Sequence, residues 1–260
     1  MTLDRVLSRH GLSSRRNAQD AIQAGIVKVN GRIVRDSEFW VDLHTDTIHV
    51  NGKRIRQAQR IYLLFYKPKG IITSHGDRRG RKTIYDCLDP KLPWVAPVGR
   101  LDKNTSGLLL LTNDTDFSSH VTSPSSKVIK TYLVKANTLI SGELVDRLRQ
   151  GFRMEDGRCA QPHSIRRLED RGKYSRLEIT LTEGKNREIH RLLESAGLKV
   201  LKLVRTGIGP CTLKGLQVGQ WRELLKSELA LFYSATSKAA ETAKSAAGSD
   251  NVDRNFTVKT

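Results

Sequence analysis

The residues of this chain best placed to do chemistry lie in PVGRLDKNTSGLLLLTND, residues 97–114, where Arg100 and Asp102 stand just ahead of the leucine run Leu108–Leu111. Gly99, Asn104 and Gly107 permit tight turns, so Asp102 is expected in a loop between two strands, with Thr105 and Ser106 crowding the same loop. The leucines read as a buried strand. A polar group held on so rigid a support is where catalytic residues tend to occur, and an ionised carboxylate there suits nucleophilic or acid–base work. The plainer alternative, an Asx-turn aspartate with Arg100 as its surface partner, stays open on these residues alone.

A second candidate is SSRRNAQDAIQAG, where Arg15 and Arg16 open a helix. Backbone N–H groups also point outward at such a position, which makes it a reasonable seat for phosphate. Two arginines that only solubilise a surface helix are the competing account. The whole-chain charge bears on the choice: Lys and Arg total 45 against 27 Asp and Glu, a formal net charge of +18. Such a field draws in polyanions, so nucleic acid is the expected partner. A membrane is the rival class, yet the longest aliphatic run, Leu108–Leu111, is far short of the roughly 20 residues that span a bilayer.

These residues need a scaffold, and 260 residues with a hydrophobic fraction of 38% can bury one sizeable core or two unequal ones. Residues 1–52 read as a compact module. Leu3, Val6, Leu7 and then Ala18 and Ile22 recur at helical spacing, Ser13 or Ser14 caps the second helix and Gly25 stops it. IVKVNGRIV follows as a hairpin about Asn30-Gly31, and a second Asn-Gly, Asn51-Gly52, ends the unit. KRIRQAQR, residues 53–60, reads as a basic linker. Over residues 61–234 the strand-like segments IYLLFYKP, GLLLLTND, KTYLVKA and SRLEITLTEG alternate with the helical patterns SGELVDRLRQG and KNREIHRLLESAG. The fold class is α+β, with a mainly antiparallel mixed sheet flanked by helices. Residues 235–260 have few bulky apolar groups and read as a disordered tail. Cys87, Cys159 and Cys211 lack metal-ligand or disulfide-framework spacing and the opening MTLDRVLSRHG carries no apolar signal, so a reducing cytoplasm is the expected location.

Two resemblances sharpen this reading. LDRVLSRHGLSSRRNAQDAIQAGIVKVNGRIV resembles the RNA-binding module shared with the small-subunit ribosomal protein four family, the alpha-L motif, which reads shaped RNA through phosphates and grooves. GRLDKNTSGLLLLTND resembles the central motif of the RsuA-like ribosomal RNA pseudouridine synthases. YKPKG, KTYLV, LTEGKNREIHRLLESAG, LVRTGIGP and GQWREL follow in that family's order, so the resemblance runs from about residue 2 to 232.

Pseudouridine formation breaks a uridine's glycosidic bond, turns the base and rejoins it through carbon 5, with no atom gained or lost. The resemblance therefore implies no metal and no redox or nucleotide cofactor. It implies that Asp102 acts on the ribose, as nucleophile or as base. Arg100 holds the emptied base position or a nearby phosphate once the uridine has left the stack. Tyr132 of KTYLV stacks on the uracil, and its hydroxyl is placed to help remove the carbon 5 proton. Lys67 and Lys69 are structural or phosphate-facing, Leu203 packs near the site, Ile208 and Pro210 support it, and Arg205 is an RNA contact or an ion-pair member.

The chain departs from the family where an arginine or lysine normally pairs with the catalytic carboxylate, since His190 stands there. With Ile189, Leu192, Leu193 and Ala196 as the buried stripe, His190 lies about 100° from Ile189, at the stripe's edge. Arg187 and Arg191 point further toward solvent. Either His190 pairs with Asp102 as an imidazolium, its pKa raised, or Arg191 reaches around instead. The expected partner is ribosomal RNA or a ribosomal-subunit precursor, acted on by a monomer and without a membrane. Details such as GRKTIYD lean toward the large-subunit branch. A small-subunit enzyme and a non-catalytic assembly factor are the alternatives, the latter favoured by His190 and opposed by Asp102.

Overall fold

The computed structural model describes residues 1–10, 14–55, 59–77, 79–153, 157, 159–184 and 187–234. The tail expected over 235–260 and the candidate cap Ser13 lie outside the described residues. The N-terminal module begins with α1 (Leu3–His10) and α2 (Arg15–Gln23). Ser14 caps α2, its hydroxyl accepting from the Asn17 N–H at 3.1 Å. Strands β1 (Val27–Val29), β2 (Arg32–Ile33), β3 (Ile48–Val50) and β4 (Lys53–Arg54) form a small sheet in the order β2-β1-β3-β4. Asn30 and Gly31, with φ of 50° and 81°, make the expected hairpin turn. The second Asn-Gly does not end the unit. It returns the chain as β4, so Lys53 and Arg54, expected in the linker, pair with Val50 and His49, and Ile55 packs on the module's core.

The larger unit runs through β5 (Tyr62–Lys67), β6 (Ala96–Pro97), β7 (Ser106–Thr112), α3 (Thr115–Thr122), β8 (Lys130–Ala136), α4 (Gly142–Gln150), β9 (Phe152–Arg153), β10 (Cys159–Ala160), β11 (Ser164–Arg171), β12 (Tyr174–Leu181), α5 (Glu188–Ser195), β13 (Val200–Ile208), β14 (Cys211–Thr212) and β15 (Trp221–Glu223). A last helix covers residues 226–234. The main sheet has the order β11-β12-β8-β13-β7-β5-β15, with β14 on β13 and β6 on β7. Its neighbours are antiparallel except β13 and β7, which run parallel and meet at Val204–Ser106 and Arg205–Gly107. This is the mainly antiparallel mixed sheet that the sequence pattern suggests. Among the described residues no helix is long and apolar enough to cross a membrane.

The leucine run is explained by burial on both faces. Leu108 and Leu110 pack with Leu64, with Phe117 and Val121 of α3, and with Phe232 of the last helix. Leu109 and Leu111 point the other way, onto Leu63, Phe65, Ile71, Ile84, Val95 and Leu101. A strand covered on both sides has no polar positions to alternate. Truncating any of these leucines to alanine costs roughly 2–5 kcal/mol. A third cluster sets α4 and α5 against β8, β11, β12 and β13.

Asp114 ties the two modules together. Its carboxylate is buried, caps α3 and accepts from the Tyr62 hydroxyl at 2.8 Å. Arg9 of α1 reaches it at 3.5 Å and Arg60 at 3.3 Å. Burial, with this carboxylate beside it, pushes the Tyr62 pKa up to about 12.

The parallel seam depends on Gly107. A Cβ built there would lie 2.2 Å from the Arg205 carbonyl oxygen, and its φ of 121° disfavours any other residue. Gly107→Ala should therefore destabilise the protein by at least about 3 kcal/mol. Gly31→Ala, where nothing stands within 4 Å of the new methyl, should cost only about 1–2 kcal/mol for its left-handed backbone. Urea denaturation of the two variants checks this ordering.

Candidate active site

The loop ahead of β7 delivers Asp102 to the lip of a cavity of about 380 Å³. The carboxylate is exposed, but the backbone behind it is fixed. The Lys67 ammonium, wholly buried, donates to the carbonyls of Asp102 at 3.0 Å, Thr105 at 2.9 Å and Pro68 at 3.2 Å. All three ammonium protons are thereby used. Gly70 N–H donates to Lys103 O at 2.8 Å, and the Thr73 hydroxyl donates to Leu101 O at 2.8 Å while accepting from Leu101 N–H. The segment KPKGIIT is thus a clamp on the aspartate loop.

Of the two roles expected for Lys67, structural or phosphate-facing, the geometry supports the first and corrects its assignment as a substrate contact. Lys67 is sealed from solvent and spent on backbone carbonyls, so it positions Asp102 from behind. Burial pushes its pKa down to about 8 against the pull of the Asp102 carboxylate.

The opposite wall comes from the other half of the sheet. Tyr132, on β8, is 8% exposed and lines the cavity, as does Arg205, which faces it directly across the β8–β13 ladder. Arg205 Nε donates to Leu108 O at 2.7 Å across the seam, while its Nη2 is buried without a partner. Of the two roles expected for Arg205, no ion pair is found among the described residues. Leu203 and Ile208 line the cavity; Pro210 does not.

Helix α5 supplies Arg187, Glu188, Ile189 and His190. Arg187 sits at its cap in a left-handed conformation, φ 50°, and reaches back to Glu194 at 3.3 Å. His190 lines the cavity as the helical stripe suggests, but not as an imidazolium. Burial lowers its pKa below 6.5, Arg187 lowers it further, and Asp102 and Glu194 pull upward without prevailing. Among the described residues no ion pair joins His190 to Asp102, and its buried Nδ1 has no partner. The expected raised pKa is therefore corrected: the site carries a neutral imidazole at pH 7. Arg191, the alternative partner, is not among the residues that line the cavity.

Arg100 lines the mouth and is exposed. In the N-terminal module the two arginines divide. Arg16 is exposed at the start of α2, whereas Arg15 Nε donates to the buried Asp4 carboxylate at 2.6 Å. The phosphate seat suggested for both has one of its two cations engaged in holding α1 to α2.

The sequence reading passed over Lys130 and Glu188, both buried in the cavity wall. Lys130 had a usable signal, since it stands two residues before Tyr132 on a strand and so shares its face. Its ammonium donates to Thr182 O at 3.1 Å. Burial, then Arg205, push its pKa down to about 8 against Glu188 and Glu183. Glu188 had no such signal, because a first-turn glutamate ordinarily faces solvent.

A cavity that joins one exposed carboxylate to a tyrosine face and a cationic wall defines a class. Residues 61–195 match the family model for RNA pseudouridylate synthase and residues 1–48 match that for the S4 domain, and the chain belongs to the RNA pseudouridine synthase family. It is 37% identical to the ribosomal large subunit pseudouridine synthase B of Bacillus subtilis, over 87% of this chain and 93% of that protein. An uncharacterized RNA pseudouridine synthase of Aquifex aeolicus is 39% identical over 90% of this chain and 94% of its own length. A crystal structure of a pseudouridylate synthase superposes with a TM-score of 0.65 at 28% identity, covering 89% of this chain and 99% of that one.

Two outcomes follow from the geometry. Lys67→Met keeps the buried volume but removes the charged donor from the carbonyls of Asp102, Thr105 and Pro68, leaving Asp102 O only the Thr105 N–H at 3.1 Å, at about 1–3 kcal/mol per lost bond. Chemical denaturation should show that loss, and turnover should fall while RNA affinity holds. NMR titration of the His190 ring should give a pKa below 6.5 that drops further in Asp102→Asn, since the carboxylate is what raises it. A value above 6.5 in the unaltered protein would restore the imidazolium pair.

Proposed function

We propose that this protein converts a specific uridine of large-subunit ribosomal RNA to pseudouridine, with Asp102 acting on the ribose as nucleophile or base. The observation that carries the reading is the shared cavity that the exposed Asp102, on its clamped loop, and Tyr132 line together. Tyr132 stacks on the extruded uracil. Arg100 and Arg187, exposed at the mouth, hold phosphates or the vacated stack position. Arg16 and the remainder of the basic N-terminal surface contact RNA shape and phosphates. The choice of large-subunit RNA is supported by the names of the Bacillus subtilis relative and of a Haemophilus influenzae relative 37% identical over 85% of this chain. The substrate is the RNA or a ribosomal-subunit precursor, and the protein acts on it as a monomer.

Ribosomal RNA from cells lacking the protein, complemented with the wild type or with Asp102→Asn, can be mapped by carbodiimide primer extension. The wild type should restore one or a few large-subunit stops. Asp102→Asn should restore none, its turnover in vitro falling by more than roughly 1000-fold. Identical maps from both proteins would remove the carboxylate from the mechanism, and restored stops confined to small-subunit RNA would reassign the substrate.

A further inference from the structure

Two buried cations beneath the cavity are not explained by folding. Lys130 is 7% and Arg205 6% exposed, and they lie close enough for Arg205 to depress the Lys130 pKa. The Lys130 ammonium carries three protons and donates one bond, to Thr182 O; Arg205 Nη2 donates none. Glu188 and Glu183 face Lys130 from α5 and from the turn after β12 and offset the charge in part. Burying like charges side by side with donors unused costs stability and returns none, which is the arrangement expected where charge is held ready for something that enters.

Where they point is fixed by the sheet. Lys130 and Tyr132 are two apart on β8 and share a face, and Arg205 is the direct cross-strand neighbour of Tyr132. All three line the same cavity. A phosphate would be met at the mouth by the exposed Arg100 and Arg187, whereas a group that reaches Lys130 and Arg205 must have gone in beside the tyrosine ring.

Resting on the functional reading above, we propose that Lys130 and Arg205 form a cationic floor that stabilises the detached uracil as an anion. When the C1′–N1 bond breaks, its electron pair leaves with the base and spreads over N1 and the two carbonyl oxygens. The sugar carbon is satisfied meanwhile by Asp102, or by loss of a ribose proton to it. On rejoining, the base's pair forms the C1′–C5 bond while Asp102 leaves C1′ with its own pair, or returns the ribose proton it took; C5 gives up its proton and N1 gains one, so product and substrate have the same atoms. Donors aimed at the charge that develops in between act on the rate rather than on binding.

The test uses the full chain and large-subunit ribosomal RNA from cells lacking the protein. Single-turnover rates of pseudouridine formation are measured at pH 7 and pH 9 for wild type, Lys130→Arg and Lys130→Gln, with RNA Kd measured alongside. Lys130→Gln should lose roughly 100-fold in rate at pH 7 with Kd unchanged within about twofold. The rate ratio of Lys130→Arg to wild type should rise about tenfold from pH 7 to pH 9, because a lysine of pKa about 8 loses its proton there and an arginine does not. Lys67 titrates in the same range in both proteins and cancels in the ratio. A flat ratio, or a Lys130→Gln defect confined to Kd, overturns the inference while wild-type turnover keeps the functional reading; absence of wild-type turnover overturns that reading instead.

Discussion

The active cavity exists because two half-sheets close along one short parallel seam, Ser106–Gly107 against Val204–Arg205. Asp102 comes from the half built on β5 and β7; Tyr132, Lys130, Arg187 and His190 come from the half built on β8, β12 and β13 with α5 against them. The backbones approach so closely that no side chain fits at Gly107. The Arg205 bond to Leu108 O then crosses the same line. Separating the halves by the width of a methyl group would move the carboxylate away from the tyrosine face, and catalysis that depends on positioning tolerates little displacement. The leucines of β7 serve the same end, since a strand buried on both faces makes one edge of the cavity rigid.

Rigidity at the seam does not by itself fix a loop, and Asp102 has to be both exposed and immobile. Lys67 reconciles the two requirements by binding the loop through backbone carbonyls, which leaves the carboxylate free to face the cavity. Asp114 plays a comparable part at larger scale. A single buried acid gathers Arg9, Arg60 and Tyr62, and so sets the RNA-binding module against the catalytic unit. A substrate that touches both modules then meets them at a defined spacing.

Much of this was legible in the sequence because it rests on local pattern. The Asn30-Gly31 turn, the Ser14 cap, the alternation in KTYLVKA and the unbroken apolar run of β7 each report a constraint within a few residues. What was not legible depends on partners far along the chain. Lys67 stayed open between a structural and a phosphate-facing role because a lysine in YKPKG shows its charge and not the carbonyls that lie 35 and 38 residues away. Arg15 looked available because its partner, Asp4, is an acid in the first turn of another helix. His190 was placed correctly on its helix edge, yet its protonation depends on how much water the folded cavity leaves around it, a quantity that helical spacing does not contain.

The histidine also shows how charge is distributed over the site. Where relatives in the RsuA-like group are expected to carry a permanent cation on α5 beside the carboxylate, this chain has an imidazole that burial and Arg187 keep neutral. A neutral neighbour does not pin Asp102 in an ion pair, so the carboxylate faces the cavity with fewer internal bonds to break. The positive charge has not left the cavity. It resides on the sheet, in Lys130 and Arg205, and at the mouth, in Arg100 and Arg187. Attraction for the polyanion and the electrostatics of the reacting base are therefore supplied by groups other than the one that stands next to the carboxylate, and the aspartate loop can be tuned by its backbone clamp alone.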